Sequence, residues 1–482
     1  MISFFSYIRS TLVKNKKKLL TIAIAIYFLI FNTLSAFAIM SIEQEKSLGR
    51  RLLMMVKQQV ELINDPESLI YISELGHKIL KQVGSSFFTY HFFIINDDGL
   101  NAFAMPGGYV FVHSGLIEAV DNEDELLCVL AHEISHVECR HIAKRIEKMQ
   151  KVNLATLALA IAGLFLGNPQ ATSAVFATSS ALNLSIALKY SRQDEEDADR
   201  QAYQWICKAG YDPRGLAKIL EKMVRYRWLG TSSIPSYLLT HPGVADRITY
   251  IDQLYQEHPC PQRVKEDNFE LHRVQIRLKC LTQDPVDVAQ GFMTKLKKNP
   301  KDIWARYGLA LAFCEQQNSK GAIKNLNILI KQHPHQLVFL RDLAEVYMHE
   351  GAYQKAISIL NNYLTTCPKD IIAQYDIGLS YLRIKKAQKA LPYFMGLLHN
   401  WPIKSQLYFN IGLALAKLHQ MGAAHYYFYR HFLATGQFNV AMYHRRLALK
   451  LLPKNSIYYQ ALKNSYPPKP LIPNKNKQST GS

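Results

Sequence analysis

The sequence predicts an α+β domain, mostly helical with a small antiparallel sheet, followed by an all-α solenoid of repeated helix pairs. Two observations support this prediction: apolar residues recur at helical spacing along most of the chain, and a 34-residue period begins near residue 300. Of the 482 residues, 49% are hydrophobic and 20% are charged, which argues against wholesale disorder. A chain of this length exceeds one ordinary core, so at least two domains are expected.

Residues 1–38 are typical of an export signal. Five Lys and Arg residues precede an apolar run over 19–34, and Ala36-Phe37-Ala38 has the small-x-small pattern that signal peptidase reads. We expect cleavage after Ala38 and a mature protein outside the cytoplasm. An uncleaved segment would instead anchor the protein in the inner membrane, because its apolar run is close to spanning length.

The mature chain stays strongly basic after export. Removal of the five basic residues lowers the formal net charge from +19 to +14. No nucleic-acid partner is expected, because an exported chain rarely meets nucleic acid. Anionic lipid, lipopolysaccharide or an acidic client fits the charge better, so peripheral membrane contact is one expectation. The plainer interpretation is a scatter of solvated Lys and Arg, since no dense basic block follows Lys18.

The domain predicted over residues 39–258 begins with a helix and a small sheet. Ser41 and Gln44 have the spacing of a capping box, which starts the helix. The runs 87–95 and 108–115 are rich in β-branched and aromatic residues, and Pro106-Gly107-Gly108 demands a turn between them. These two runs predict the antiparallel sheet.

The stretch CVLAHEISHVECRH, residues 128–141, lies on a helix predicted to start at Asn122. His132 and His136 are one turn apart, so both imidazoles can reach one cation. Glu133 lies about 100° around the helix, near enough to touch a metal-bound water without being a ligand. This geometry favours a zinc site that hydrolyses peptide bonds. The alternative is three polar residues that share a helix by chance.

A second helix offers the third protein ligand that a hydrolytic zinc ion needs. In YSRQDEEDADRQA, residues 190–202, Glu195 and Asp199 are again one turn apart. Glu195 could complete the coordination of one zinc ion, and Asp199 could accept a hydrogen bond from a ligand imidazole. Two imidazoles and a carboxylate suit zinc best. The alternative is an acidic, solvated helix start.

The uncharged segment 152–188 lies between these two motifs. Asn168-Pro169 divides it, and each half falls short of about 20 strongly apolar residues, which disfavours a transmembrane hairpin. We predict a buried or lid-forming pair of helices that excludes water from the site or gates it.

The seven cysteines include no C-x-x-C pair, which argues against a thiolate zinc cluster. Cys260 and Cys280 accompany a linker predicted over residues 259–286, and they could be bridged in an oxidising compartment. The number of cysteines is odd, so at least one stays unpaired, and the sequence does not show which of the others pair.

A 34-residue period organises residues 287–465. Pro300, Pro334, Pro368 and Pro402 recur at this interval, which is the length of a tetratricopeptide unit. Position 436, where the next proline would fall, is Gly, so we predict three full repeats and a capping set of helices. Residues 466–482 are expected to form a disordered tail. Small side chains recur at two positions where paired helices cross closely: Ala310, Ala344, Gly378 and Gly412 at one, and Ala322, Ala356, Ala390 and Ala424 at the other.

Three stretches resemble the signature blocks of a metallopeptidase family typified by the heat-shock protease HtpX and the yeast prenyl-protein protease. They are NAFAMPGGYVFVHSGLI, DELLCVLAHEISHVECRH and YSRQDEEDADR. The resemblance implies a zincin-type metallopeptidase domain in which Glu195 is a zinc ligand beside His132 and His136, and in which Asp199 belongs to the same block. With an export signal and repeats added, the chain resembles members of Gram-negative bacteria, which implies a periplasmic location.

The stretch LLTHPGVADRITYI, residues 238–251, is similar to a further block of that family. The resemblance places His241 and Arg247 near the metal. His241 could fill the open position in a resting state, or it could stabilise the oxyanion once substrate binds. The alternative is a histidine that only caps a helix before proline.

These residues predict metal-assisted peptide hydrolysis. Glu133 is expected to take a proton from the attacking water and to return it to the leaving amine. Substrate is expected to lie extended beside the edge of the small sheet, where backbone hydrogen bonds give broad specificity. The residues predicted to bind substrate there are Gly108, Tyr109, Val110, Phe111 and Val112.

The solenoid is expected to select clients or to dock the enzyme on a larger assembly. By resemblance, the clients are unfolded or misassembled outer-membrane β-barrel proteins, and the docking partner is the barrel assembly machinery. The rival hypothesis is a chaperone or adaptor of envelope assembly with a latent zinc site. A closed metal site would favour the rival, and a site open to water would favour the endopeptidase.

Overall fold

The computed structural model describes residues 40–148, 156–157, 160, 188–228, 235–261 and 268–464. The predicted export signal, the predicted tail and nearly all of the segment 152–188 lie outside the described residues. Among the described residues, no helix combines the length and the apolar character needed to cross a membrane.

The described residues between 40 and 261 form the N-terminal region, and they combine helices with a small sheet. Side-chain caps set the starts of its main helices: Ser41 and Gln44 form the predicted capping box, and Ser191 with Asp194 forms another. The elements in chain order are α1 (Ile42–Val56), β1 (Leu62–Ile63), α2 (Pro66–Val83), β2 (His91–Ile95), β3 (Ala102–Met105), β4 (Tyr109–His113), α3 (Ser114–Ala119), α4 (Glu123–Glu138), α5 (His141–Lys148), α6 (Arg192–Ala209), α7 (Gly215–Trp228), α8 (Ser236–Thr240) and α9 (Val244–Glu257).

The sheet has the strand order β1-β2-β4-β3 and is mixed, so the prediction of an antiparallel sheet was wrong. β2 and β4 run parallel, with His91 opposite Tyr109. The difference arises from β3, a strand that lies in the segment predicted only to connect the two runs. β3 pairs antiparallel with β4 through the turn at Gly107 and Gly108, both of which have positive φ. β3 occupies that side of β4, and β2 pairs with the other side. The chain reverses direction between β2 and β3 and again between β3 and β4, so β2 and β4 run parallel.

Helix α4 lies in the middle of the N-terminal core. Every side chain from Glu125 to Val137 is buried, and α2, α6, α7 and β3 all contact the helix. The Asn122 side chain accepts a hydrogen bond from the Glu125 N–H and fixes where the helix starts. A helix covered on all sides can hold polar side chains only where they find polar partners or a ligand.

The repeat region follows a bridging helix, α10 (Phe269–Thr282). Its helices are α11 (Pro285–Lys298), α12 (Ile303–Glu315), α13 (Ser319–Gln332), α14 (Val338–His349), α15 (Tyr353–Thr366), α16 (Ile371–Arg383), α17 (Ala387–Gly396), α18 (Lys404–Lys417), α19 (Met421–Ala434), α20 (Phe438–Leu451) and α21 (Ile457–Asn464). Residues 303–464 therefore form five consecutive helix pairs, and the predicted number of three full repeats was too low. Gly436, with φ +75°, turns the chain between α19 and α20 without the proline that marks the earlier turns.

The small side chains predicted at the helix crossings lie where the period placed them. The six alanines among them are all fully buried. A Cβ atom at Gly378 would approach the Phe394 ring at 2.9 Å, and one at Gly412 would approach the Phe428 ring at 2.6 Å. Close packing of paired helices thus excludes larger side chains at these positions.

Helix α10 lies in the segment predicted as a linker, and it belongs to two cores. Leu271, Val274 and Leu278 pack into the core of the N-terminal region. Ile276 and Cys280 pack into the core of the first repeats. The helix therefore joins the two regions through buried apolar contacts on both of its sides.

Three buried arginines add charged contacts across the same junction. Arg273 and Arg277 of α10 and Arg341 of α14 all contact Glu67 at the start of α2. Arg277 also pairs with Asp65, with the Nη2 and Oδ1 atoms 2.8 Å apart. The N-terminal region and the repeat region are therefore connected by ion pairs that lie away from solvent.

Cys207 and Cys260 form a disulfide, with Cα atoms 5.3 Å apart. The suggested Cys260–Cys280 bridge was therefore wrong. Cys280 is a free, buried thiol because α10 carries it into the repeat core, whereas Cys260 follows α9 and lies against α6.

Candidate active site

Helix α4 presents His132, Glu133 and His136 to one buried point. All three side chains have at most 2% exposure, and the imidazole rings of the two histidines meet edge to face. Their Nε2 atoms lie 3.0 Å apart, as the one-turn spacing predicts for two groups that face one cation.

Helix α6, which packs against α4, brings Glu195 to the same point. Its carboxylate oxygens lie 3.5 Å from the Nε2 atoms of His132 and His136. The capping box at Ser191 starts the helix one turn earlier and so sets the position of Glu195.

His241 closes the group as a fourth side chain. It follows the short helix α8 and is fully buried. Its Nδ1 atom lies 3.3 Å from the Nε2 atom of His132 and 3.0 Å from Glu195 Oε1. One atom each from His132, His136, Glu195 and His241 can be chosen so that all four lie within 4.8 Å of one another.

Arg247 and Asp199 surround this group with charge. Asp199 Oδ1 lies 2.8 Å from the Nδ1 atom of His132, and Arg247 donates from Nε to Asp199 Oδ2 at 2.7 Å. Arg247 Nη1 also lies 2.7 Å from Glu195 Oε2. Burial opposes ionisation, but the Arg247 charge holds the pKa of Asp199 below its ordinary value. The same cation and His241 hold the pKa of Glu195 well below its ordinary range despite burial.

Glu133 is buried without a hydrogen-bond partner for either carboxylate oxygen. Its nearby polar contact is His241, whose Nε2 atom lies 3.6 Å from Oε1. Burial raises the pKa of Glu133 above its ordinary value, which suits a group that takes up and gives back a proton near neutral pH. Both carboxylate oxygens of Glu133 are therefore free to accept a hydrogen bond from a water molecule or a substrate that enters this cluster.

The donor set fits a zinc ion. Three imidazoles and one carboxylate are the ligand types that zinc takes at tetrahedral sites. When bound, zinc would polarise a scissile carbonyl and lower the pKa of a water molecule. The chain's own residues would hold that ion, orient the His132 ring through Asp199, exclude solvent and move a proton at the carboxylate of Glu133.

His141 is a further residue of the site that the sequence reasoning missed. Arg140 has φ 56°, and this left-handed turn between α4 and α5 brings the His141 ring beside His136. Their Nδ1 atoms lie 2.8 Å apart, and His141 is buried. The sequence feature that could have indicated this role is the position of His141, five residues after His136 in the stretch 128–141.

Two buried tyrosines stack on the histidines. The Tyr190 ring lies 3.7 Å from that of His136, and the Tyr237 ring lies 4.1 Å from that of His241. The Tyr237 hydroxyl is buried and lacks a hydrogen-bond partner. It is therefore a candidate donor to a developing oxyanion, which no motif in the sequence indicated.

The strand predicted to bind substrate is not at an edge. β4 is paired on both sides, so the backbone of Tyr109, Val110, Phe111 and Val112 cannot also pair with an extended substrate along its length. The prediction for these residues and the adjoining Gly108 was therefore wrong. The edge strand beside the site is β3, and a narrow cavity is lined by Ala104, Met105, Pro106, His136 and Tyr190 among others.

Parts of the chain are similar to known proteins. Residues 68–255 match the family described as Peptidase family M48, and residues 307–371 match a family described as Tetratricopeptide repeat. The Beta-barrel assembly-enhancing protease of Escherichia coli strain K12 is 33% identical over 322 residues, which cover 64% of this chain and 64% of that protein. Its namesake in Yersinia pestis is 31% identical over 320 residues, 65% of each chain.

A mitochondrial protein is similar to a shorter part of the chain. The Mitochondrial metalloendopeptidase OMA1 of Schizosaccharomyces pombe is 30% identical over 188 residues, which cover 39% of this chain and 53% of that protein. The alignments with the two bacterial relatives span just under two thirds of their length. The chain carries a peptidase family M48 domain followed by tetratricopeptide repeats.

Proposed function

We propose that this chain is an exported zinc-dependent endopeptidase that acts in quality control and assembly of outer-membrane β-barrel proteins. The observation that carries the proposal is the buried group of His132, His136, Glu195 and His241 with the unbonded carboxylate of Glu133 beside it. A hydrolytic site needs a group that can take a proton from water, and Glu133 is placed beside the cluster to do so.

In this proposal His132, His136 and Glu195 are the three zinc ligands, and Asp199 and Arg247 hold them in place. His241 would act as a fourth ligand in a resting state, and its side chain would have to move away before a substrate could enter the site. Tyr237 stacks on His241 and would move with it or replace it as a donor.

The substrate is an extended, unfolded segment of chain. Edge strand β3 borders the site, and pairing of a segment with its backbone would give broad sequence tolerance. The relatives named for β-barrel assembly support clients of that class, and a disulfide between Cys207 and Cys260 agrees with an oxidising compartment such as the periplasm.

The repeats dock the enzyme on the barrel assembly machinery or capture clients. We propose a signal peptide over 1–38, a peptidase domain over 39–258, a connection over 259–286 that includes α10, and repeats over 287–465. The buried contacts of α10 with both cores support transmission of repeat binding to the peptidase domain.

The test compares wild type with Glu133→Gln. Wild type should contain one zinc ion per chain and degrade an unfolded outer-membrane barrel protein, and a chelator should stop that degradation. Glu133→Gln should keep its zinc and lose at least about 100-fold in rate, because proton transfer contributes that much. Glu221→Gln, an exposed residue of α7, is the matched control and should behave as wild type. Equal degradation by Glu133→Gln and wild type would refute the proposal.

One observation favours the rival function of a chaperone or adaptor with a latent metal site. His241 completes a fully buried set of four ligands, which is how a structural zinc site looks. If Glu133→Gln supports barrel assembly in cells as well as wild type does, and no client is cleaved in either strain, the rival is correct.

A further inference from the structure

We propose that the last two helices of the repeat region, α20 and α21, bind the anionic surface of a lipid membrane. Charge along the repeats is highly uneven. Residues 377–464 contain twelve Lys and Arg and no Asp or Glu, whereas residues 284–376 contain nine acidic residues. The second half of the solenoid therefore holds an uncompensated positive charge that attracts anionic surfaces.

Helix α20 gathers part of this charge on one face. Tyr443, Arg446 and Lys450 are spaced by three and four residues, so they project from one side of the helix, and all three are exposed. Tyr443 is 52% exposed, which is high for an aromatic side chain. Val440 and Leu451, which flank this face, are exposed as well.

Helix α21 extends the same end of the solenoid. Arg445 donates from Nη2 to the Leu462 carbonyl at 2.8 Å, and the Leu462 side chain is buried, so α21 is held against α20. Ile457 at the start of α21 is 76% exposed, and Lys454 and Lys463 are exposed on either side of it. Within the part of the chain that the structure describes, no later repeat covers these two helices.

The mixture of side chains favours lipid over an acidic protein. Exposed cations, a tyrosine and large aliphatic side chains occur together on these two helices, and this is the composition of helices that lie in a membrane interface. Cations attract anionic headgroups, tyrosine lies at headgroup depth, and the aliphatic side chains enter the acyl boundary. An acidic polypeptide would use the cations but would gain little from an isolated exposed isoleucine.

The experiment measures binding of the full-length mature chain to vesicles. We expect binding to equimolar phosphatidylglycerol and phosphatidylcholine at low salt, loss of binding as salt rises, and no binding to phosphatidylcholine alone. Arg446→Gln/Lys450→Gln should weaken binding about 25-fold, since each cation near an anionic surface contributes about fivefold. Lys320→Gln/Lys324→Gln removes two exposed charges from α13 and should change binding less than twofold.

A second pair of variants separates lipid from protein. Tyr443→Ser/Ile457→Ser keeps every charge and should weaken vesicle binding severalfold at all salt concentrations. Equal vesicle binding by wild type and Arg446→Gln/Lys450→Gln would overturn the proposal. A second result would also overturn it: wild type binds polyglutamate as tightly as it binds vesicles, and Tyr443→Ser/Ile457→Ser does not weaken the binding to polyglutamate. This result would identify an acidic protein as the partner. Vesicle binding does not require hydrolysis, so Glu133→Gln should bind as wild type does even if the proposed peptidase function fails.

Discussion

The Nδ1 atoms of His136 and His141 lie 2.8 Å apart inside the protein. If Nε2 of His136 binds a metal ion, its Nδ1 carries the proton and donates a hydrogen bond to Nδ1 of His141. His141 would then favour the tautomer of His136 that can bind a metal, as Asp199 would for His132. The two histidines of the motif thus have different supporting acceptors, one neutral and one anionic.

Replacement of His141 by leucine should lower zinc affinity about 10–100-fold, the usual cost of removing a partner that orients a ligand. His141→Asn keeps an acceptor near the Nδ1 position and should recover most of the affinity. Competition with a chromogenic chelator measures both values. His258→Leu, an exposed histidine, is the control. If the leucine and asparagine variants bind zinc equally weakly, His141 acts through packing alone.

Replacement of His241 by alanine separates its two possible roles. As a resting-state ligand it blocks the fourth position, so His241→Ala should hydrolyse an unfolded client several times faster at saturating zinc. As an oxyanion donor its loss would slow kcat by about 100-fold or more. Single-turnover kinetics with wild type and with His419→Ala, an exposed histidine of the repeats, decide between them. We expect the faster rate.

Acid should loosen the junction between the two regions. The Arg273, Arg341 and Arg277 charges hold the pKa of Glu67 below its ordinary value of 4.5, although burial opposes ionisation. A depressed carboxyl pKa adds stability at higher pH, and this stability is lost as the pH falls below about 4.5. In denaturant titrations from pH 7 to pH 3, the contribution of Glu67 to the free energy of unfolding should stay constant down to about pH 4.5 and fall below that pH.

Glu67→Gln tests the same contact at pH 7. It removes the charge that faces three buried guanidinium groups and should cost about 3 kcal/mol or more. Glu43→Gln breaks the exposed pair with Lys46 and should cost less than about 1 kcal/mol. A Glu67→Gln variant as stable as wild type, with an unchanged acid transition, would contradict the assignment.

The disulfide should stabilise the peptidase region. Cys207 and Cys260 are 53 residues apart, and closure of a loop of this length corresponds to about 4 kcal/mol of unfolded-state entropy. Cys207→Ser/Cys260→Ser should lose much of that stability, and Cys367→Ser, which alters a free and partly exposed thiol, should not. Thiol counting on the unfolded, unreduced protein checks the pairing directly: all seven cysteines would be reactive if the bridge does not form.

The parts of the fold that depend on local spacing could be predicted from the sequence. The one-turn separation of His132 from His136 and of Glu195 from Asp199 fixes which side chains share a helix face. The crossing positions of the repeats follow from the period, because only small side chains fit where two helices touch.

The parts that depend on distant packing could not be predicted. The partner of Cys260 is set by how α6 lies against the end of α9. The parallel pairing of β2 with β4 depends on the four-residue strand β3, which has no clear strand pattern in the sequence. The contact of His141 with His136 requires the left-handed backbone conformation of Arg140. Arginine rarely adopts this conformation, and no sequence pattern predicts it here.

Helix α10 determines where the protein can be divided into shorter proteins that still fold. The two apolar sides of α10 complete both hydrophobic cores. A truncated protein that ends before Phe269 would therefore expose the apolar surfaces of α2 and α3 that α10 covers. A truncated protein that starts after Thr282 would expose the apolar surface of the first repeat. Neither half is then a self-sufficient folding unit, and a shortened peptidase should retain this helix and carry polar replacements for Ile276 and Cys280.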